Sequence, residues 1–522
     1  MLKAQIRFSD LSAPVRVSGG SVVFGESACE PFGHRLLRTK LIRSPKFTAI
    51  IVYERLIGSD ECSEIEEEDG SYANPSEITE AMSSHPLDWM ALYLLHENAS
   101  VEFACAYQSI APIYMTLRSN TLSVSWDIAE MIFDGPITLR GPNLGRFVTR
   151  RWLYSCETFL HGVYRLTPET KIFVDQHAVR YEYPRPAAFV RRHELKQGAD
   201  PVDLFFDAVC TILALRPLDR NRTALELSGG MDSGITALAA SHVLGRPLLS
   251  YGAEFEGSMG AAQRKRRELM CGAAGTRDIA IPAEYFASYD ADGPRRRPLS
   301  VWPEDESYPE IMGPLQKLVR SAGIDTVIAG AGGDEIYPIF VHEAPERLHD
   351  DVAQLTNAFS TERCERLAAM PCDARPQGWL LDSCWRTSAA RAKSFLNAGL
   401  WPVYPFFSKE LTAFTFNLPL EWRKDRMLHR RTLTRQLQNS IYEMDYLKES
   451  FMSVMLHGFR RNRGFILDLI QNSSLDKLGL IDKRKMLHAF EAGIPEQDLE
   501  QNSAFYILNF ECFFRGREIG IA

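Results

Sequence analysis

The stretch Leu225–Gly234, LELSGGMDSG, limits what this chain can fold into more than any other. Thr223 to Leu227 is an apolar-rich run and reads as a buried strand. Ser228 to Ser233, SGGMDS, reads as a tight turn, and Gly234 to Leu244, rich in Ala and Leu, reads as a helix. A strand, a glycine turn and a helix N-terminus in succession make an anion hole, because the first helical N–H groups have no partner inside the helix. Gly229 and Gly230 lack a Cβ, so their N–H groups can approach a phosphate closely. Ser228 and Ser233 add hydroxyl donors. Asp232 would repel a bare phosphate, so its presence points to Mg²⁺ between carboxylate and phosphate.

The hexamer is not the Walker P-loop, which would end in Gly-Lys-Ser or Gly-Lys-Thr. It resembles the PP-loop, SGGxDS, of the ATP pyrophosphatase families. Enzymes of those families split ATP between the α and β phosphates and adenylate a carboxylate or a carbonyl. The resemblance implies ATP and Mg²⁺ as ligands, with Leu227, Ser228, Gly229, Gly230, Asp232 and Ser233 around the nucleotide. The plain alternative is an ordinary strand-to-helix glycine turn, but the complete hexamer directly after a strand is more specific than that.

At 522 residues the chain is too long for one core, and two domains are expected. A composition of 45% hydrophobic and 24% charged residues is that of a soluble globular protein. A net charge of −8 argues against a dedicated nucleic-acid surface. The local basic clusters Arg264-Lys265-Arg266-Arg267 and Arg295-Arg296-Arg297 read as solvated faces or loops. The ten cysteines are scattered without a Cys-x-x-Cys pair, so free thiols in a reducing cytoplasm are expected. The opening MLKAQIRFSD has no apolar core, and no long apolar run follows, so neither a signal peptide nor a membrane span is expected.

Residues 1–190 read as β-rich, with strands at Lys46–Tyr53 and Val101–Tyr107. Ser119-Asn120 marks a hairpin whose second strand is Thr121–Trp126, and the acidic run Asp60–Asp69 reads as a solvated loop. Tyr107–Met115 with the following TLSVSWDIAEMI resembles a hairpin-then-helix segment in the glutaminase half of asparagine synthetase, and Thr158–Pro168 is similar to that half's closing segment. The resemblance implies an α/β/β/α sandwich of the N-terminal-nucleophile type. That chemistry needs a cysteine as first residue after Met removal. Here the second residue is Leu2 and the first cysteine is Cys29, which implies a degenerate scaffold without glutamine hydrolysis.

Residues 185–200, with Pro186, read as linker, and Pro201–Leu215 as an amphipathic helix. Beyond Leu227 a second strand at Pro247–Phe255 and a helix with a charged face at Ala261–Ala274 follow. Strand, helix, strand, helix implies a parallel, doubly wound α/β sheet over 200–522 with ligands at the strand C-termini and a helical C-terminal part. A further apolar strand runs into Gly330-Ala331-Gly332-Gly333-Asp334-Glu335. This segment resembles the Gly-x-Gly-x-Asp-Glu segment of the asparagine synthetase superfamily. The mapping implies Asp334 as a second Mg²⁺ carboxylate beside Asp232, and Gly330 as the adenine-facing glycine. Trp401–Pro419 resembles the superfamily's aromatic fourth block, most of its apolar residues reading as core. Lys448, in Tyr446–Phe451, falls on its late catalytic lysine.

The departures imply the subfamily. Ala331 stands where asparagine synthetases carry Glu and β-lactam synthetases carry Tyr, and Trp401 and Val403 stand where the fourth block carries Glu and Arg. The lasso-peptide cyclases share this profile, and Ser503–Phe510 is similar to their C-terminal ends. The resemblance implies a cytoplasmic, ATP-dependent macrolactam synthetase. It would adenylate an Asp or Glu of a precursor peptide and close the ring with the peptide's N-terminal amine. Lys448, Asp232 and Asp334 would be catalytic, and a leader-peptide-processing cysteine protease would be the partner. The alternatives are a small-molecule amide or β-lactam synthetase of the same superfamily and an inactive nucleotide-binding scaffold.

Overall fold

Alternation along Phe47–Glu54 shows how the N-terminal half is layered. Ile50 and Val52 face one hydrophobic cluster while Phe47, Ala49 and Ile51 face another. A strand that buries both faces needs cover on both, and the computed structural model supplies it. The model describes residues 1–59, 64–132, 134–187, 195–339, 358–443, 448–492 and 504–522.

Phe47–Glu54 lies in a seven-stranded sheet ordered Val179–Glu182, Lys171–Val174, Ser100–Cys105, Trp89–Leu95, Phe47–Glu54, Leu37–Arg43 and Glu66–Asp69. A second seven-stranded sheet runs Val163–Leu166, Ile113–Arg118, Thr121–Ser125, Leu2–Arg7, Ser27–Pro31, Ser21–Phe24 and Arg16–Ser18. The two share one core, in which Ile6, Phe24, Met115 and Val124 of one sheet meet Leu41, Leu92, Phe103 and Ile172 of the other. The helix Pro75–Ser83 covers the outer face of the first sheet through Ile78. The hairpin at Ser119-Asn120 is as expected: Arg118 pairs with Thr121, and both turn residues have positive φ (46° and 60°).

The acidic run departs from the reading as a loop. Residues 60–63 lie outside the described residues, but Glu66–Asp69 is an edge strand parallel to Leu37–Arg43. Its carboxylates face basic side chains of that neighbour: Glu66 is 3.7 Å from Arg38, Glu68 pairs with Lys40, and Glu67 with Arg43. Opposite charges on adjacent strands supply what the apolar pattern lacks.

The second half is built on a five-stranded, wholly parallel sheet ordered Thr276–Pro282, Leu248–Glu254, Thr223–Glu226, Thr326–Ile328 and Trp401–Val403. From the central strand, Thr223–Glu226, the chain winds outward in one direction and then crosses to the other side. Leu225 pairs with Ser250 on one side and Ile328 on the other, so the topological switch point lies between the central strand and Thr326–Ile328. Most of the remaining C-terminal part is helical, and Ala504–Phe514 is buried almost all round against Leu144, Phe147 and Phe159 of the first half. Ile519–Ile521 pairs in parallel with Ile137–Leu139.

The halves are joined by buried charge. Arg216 donates to Glu54 at 2.8 and 3.1 Å, and the Trp401 indole N–H donates to the same carboxylate at 2.7 Å. Among the described residues the cysteines are unpaired by disulfides, and no helix is long and apolar enough to cross a membrane.

Candidate functional site

Two loops leave the parallel sheet at its switch point, one after Thr223–Glu226 and the other after Thr326–Ile328. The first turns more tightly than its sequence suggests. Gly229 has φ +91°, Gly230 is the helix N-cap, and the helix runs Met231–Leu244, so Asp232 and Ser233 sit in its first turn. The first intrahelical bond is made by the Gly234 N–H to the Gly230 carbonyl at 3.1 Å, leaving the earlier N–H groups at the open end. Ser228 and Ser233 hydroxyls lie 3.1 Å apart, and Ser228 accepts from the Gly230 N–H at 3.1 Å, bracing the turn.

The carbonyls of this turn are held from behind by one helix, Gly257–Ala274, through residues at i, i+3 and i+4. Gln263 donates to the Ser228 carbonyl at 2.8 Å, Arg266 to that of Gly229 at 3.1 Å, and Arg267 to that of Leu227. Tyr442 donates a second bond to Gly229 at 2.7 Å. Arg266 and Arg267 are buried. They correct the reading of Arg264–Arg267 as a solvated face. Buried Arg295, paired with Glu310 at 2.7 Å, likewise corrects the reading of Arg295–Arg297. Three successive carbonyls of the turn are thus tied to this helix, while Ser228, Gly230, Asp232 and Ser233 border a cavity of about 370 Å³.

The second loop packs on the first with no space between. A Cβ on Gly330 would stand 2.7 Å from the Ser233 nitrogen, and one on Gly333 would overlap the Asp232 carboxylate. Both glycines are therefore needed for the approach. This contact brings Asp232 and Asp334 together, and the Arg426 guanidinium bridges them, paired with both. His429 Nε2 stands 3.0 Å from Asp232, and the Tyr337 hydroxyl bonds His429 Nδ1. Burial raises the Asp232 carboxyl, but His429 and Arg426 hold it below the usual carboxylate range. Burial lowers the His429 pKa, against the pull of Asp232.

Lys448 lines the same cavity, 68% exposed, with its ammonium 3.6 Å from Asp334. Residues 446 and 447 of its segment lie outside the described residues, as does Ser503 of the C-terminal motif. Glu449 pairs with Arg266, and Phe451 stacks on Tyr308 at 4.2 Å, which fixes Lys448 beside the turn. Leu227, Tyr251, Phe255, Met312 and Leu315 are apolar members of the cavity's lining. Ala331 lines it too, while Trp401 is buried against Glu54 and Val403 is interior, neither lining it.

All the sequence-derived site residues except Gly229, whose carbonyl is tied inward, border this one cavity. Sequence reasoning missed Arg426, His429, Gln263, Arg266 and Arg267. The last three carried a signal in their one-face spacing, whereas Arg426 follows Asp425 in a short kinked segment where both have positive φ, and no pattern marks it. Among the described residues no three His, Cys, Asp or Glu side chains gather around a metal position. Two carboxylates facing a phosphate-sized opening still suit Mg²⁺, which takes one or two protein carboxylates and completes its octahedron with phosphate oxygens and water. The sequence matches no family model and no curated protein.

Proposed function

We propose that this chain is an ATP-dependent, amide-bond-forming ligase of the PP-loop type that adenylates a carboxylate, with a peptide macrolactam of the lasso kind as its product. One observation carries the reading: Gln263, Arg266 and Arg267 hold the Leu227, Ser228 and Gly229 carbonyls, and the turn so braced borders one cavity together with the acidic side chains of Asp232 and Asp334. Such a turn has no structural need for the opposed carboxylates. It has a chemical one if a polyphosphate and a divalent cation lie between them. In this reading residues 1–190, with their two seven-stranded sheets, are a degenerate glutaminase-like scaffold, and 200–522 are the adenylating domain.

The chain's own groups divide the work. The turn would bind phosphate, the apolar residues of the lining would take the adenine, and Asp232 and Asp334 would hold Mg²⁺, which supplies charge neutralisation at the phosphates when bound. Arg426, paired with both carboxylates, would be the cation nearest the phosphates of a bound nucleotide. The substrate carboxylate attacks the α phosphorus, pyrophosphate leaves, and the amine then attacks the acyl carbon and expels AMP. An α-amino group has an ordinary pKa of about 7.7–8.0, so a useful fraction is neutral without a strong base. Ala331 in place of an acid or a phenol is consistent with that. Lys448 is placed to stabilise negative charge developing on the phosphoryl group.

The test is carboxylate-dependent ATP–pyrophosphate exchange, run with acidic peptides and with small amino acids. Exchange driven by peptides is expected. Exchange with small acids alone would favour the small-molecule synthetase, and none with either would leave a nucleotide-binding scaffold.

A further inference from the structure

The strands Thr223–Glu226 and Leu248–Glu254 pair in parallel as far as the cavity and then separate. Glu226 pairs with Tyr251, and the Leu227 N–H donates to the Tyr251 carbonyl at 2.8 Å. Beyond Leu227 the first chain turns away through Ser228–Ser233, while the second continues as a strand to Glu254. Chains that diverge leave backbone groups without their ladder partners, which is costly inside a protein. Tyr251, Ala253 and Phe255 alternate along the second chain, and all three border the cavity.

Gln263 stands between the two chains where they part, and it is 0% exposed. Its Nε2 donates to the Ser228 carbonyl at 2.8 Å and to the Ala253 carbonyl at 2.9 Å, and its Oε1 accepts from the Phe255 N–H at 3.1 Å. A primary amide offers two N–H donors and one carbonyl, and here each is used. No other side chain of this length does the same. A glutamate would set a carboxylate against two carbonyls, and a methionine would leave three backbone groups without this partner. The reach comes from the helix Gly257–Ala274: a Cβ on Gly260, one turn before Gln263, would overlap the Phe255 carbonyl, so glycine there lets the helix come close.

We infer that Gln263 is a positioning residue that sets the distance between the Ser228–Ser233 turn and the chain carrying Tyr251, Ala253 and Phe255, and so the span of the ligand that both can hold at once. The inference rests on the adenylating reading, in which the turn takes the polyphosphate and the apolar residues take the base. A nucleoside triphosphate joins those two parts through one ribose. When two parts are linked, the second binds as an intramolecular event, and the gain is largest when the link matches the span between the sites. A fixed spacing therefore selects the whole nucleotide over either part alone. Gln263 acts here through the two chains it joins and needs no contact with the ligand.

The test is equilibrium binding without turnover, by calorimetry for ATP and for tripolyphosphate, each with Mg²⁺, and by saturation-transfer NMR for adenosine. In the unaltered protein ATP should bind roughly 100-fold or more tighter than either part, and no gain from the link overturns the inference. Gln263→Met should weaken ATP roughly tenfold or more and each part less than about threefold. Gln263→Glu keeps an acceptor for the Phe255 N–H and withdraws both donors, and it should show the same split. Retained binding of the parts shows that both variants are folded. Unchanged ATP affinity overturns the inference. So does a loss of tripolyphosphate as steep as that of ATP, which would make Gln263 a brace of the turn alone. Pyrophosphate exchange is read separately: the split without exchange keeps the spacing and overturns adenylation, and exchange without the split does the reverse.

Discussion

Lys448 is the most exposed of the charged side chains around the cavity between the two loops, and exposure is what an ordinary surface lysine also shows. Its setting separates the two. An interaction made only in the transition state leaves ground-state binding alone. Lys448→Met should therefore lower the single-turnover rate on the order of 10²–10³-fold while changing nucleotide affinity little. Equal losses in both would make it an ATP ligand, and an unchanged rate would remove its role. Asp232 gives a second prediction at this scale. Its folded pKa lies below the ordinary 3.8, so the stability it contributes is complete above that value and is lost as pH falls through the acid range. Urea unfolding of Asp232→Asn should show a shallower loss of stability below about pH 4 than the unaltered protein. Parallel curves would mean that Asp232 is not held by Arg426 and His429.

At the scale of elements, the site is two loops pressed together by glycines. Gly330→Ala places a methyl 2.7 Å from the Ser233 nitrogen, against backbone that cannot rotate away. The cost of such overpacking is about 1–3 kcal/mol, and it falls on the Ser228–Ser233 turn. Calorimetric titration with ATP should show affinity lowered about tenfold or more, following from the same figure. Wild-type affinity would show that the loops are not rigidly apposed. How much of this was legible depended on what each residue reports locally. Strand, glycines and helix start lie next to one another in sequence, so the turn, its carboxylate and the second loop could be read directly. Arg266 and Arg267 carry the same charge whether solvated or buried, and only the carbonyls they meet across the fold decide it. Glu66–Asp69 became a strand for the same reason: its partners are the cations of Leu37–Arg43. Arg426 is recruited by two carboxylates far off in sequence, and nothing beside it announces that.

For the whole molecule, the Glu54–Arg216–Trp401 contact decides whether the halves act together. Both charged side chains are essentially buried, at 0% and 1% exposure. Burial raises the Glu54 carboxyl, but the Arg216 guanidinium holds it ionised. Removing one partner strands the other charge, at a cost of about 3–5 kcal/mol. Arg216→Met should lower the urea midpoint accordingly, and adding Glu54→Gln should restore part of it. A double variant no better than the single one would show that the pair's charge is not what matters. One hydrophobic cluster runs from Met1 to Tyr442 through both halves, a continuity that length and composition do not reveal.

The parallel pairing of Ile137–Leu139 with Ile519–Ile521 has a consequence for how the chain is born. A ribosome releases the first of these strands long before the second exists. The sandwich therefore emerges with Leu144, Phe147 and Phe159 uncovered, since Ala504–Phe514, which buries them, is also late. Parallel strands distant in sequence are slow to meet, and apolar surface left waiting invites aggregation. Nascent chains stalled before residue 504 should bind a general ribosome-associated chaperone more avidly than chains stalled after residues 504–522 have emerged.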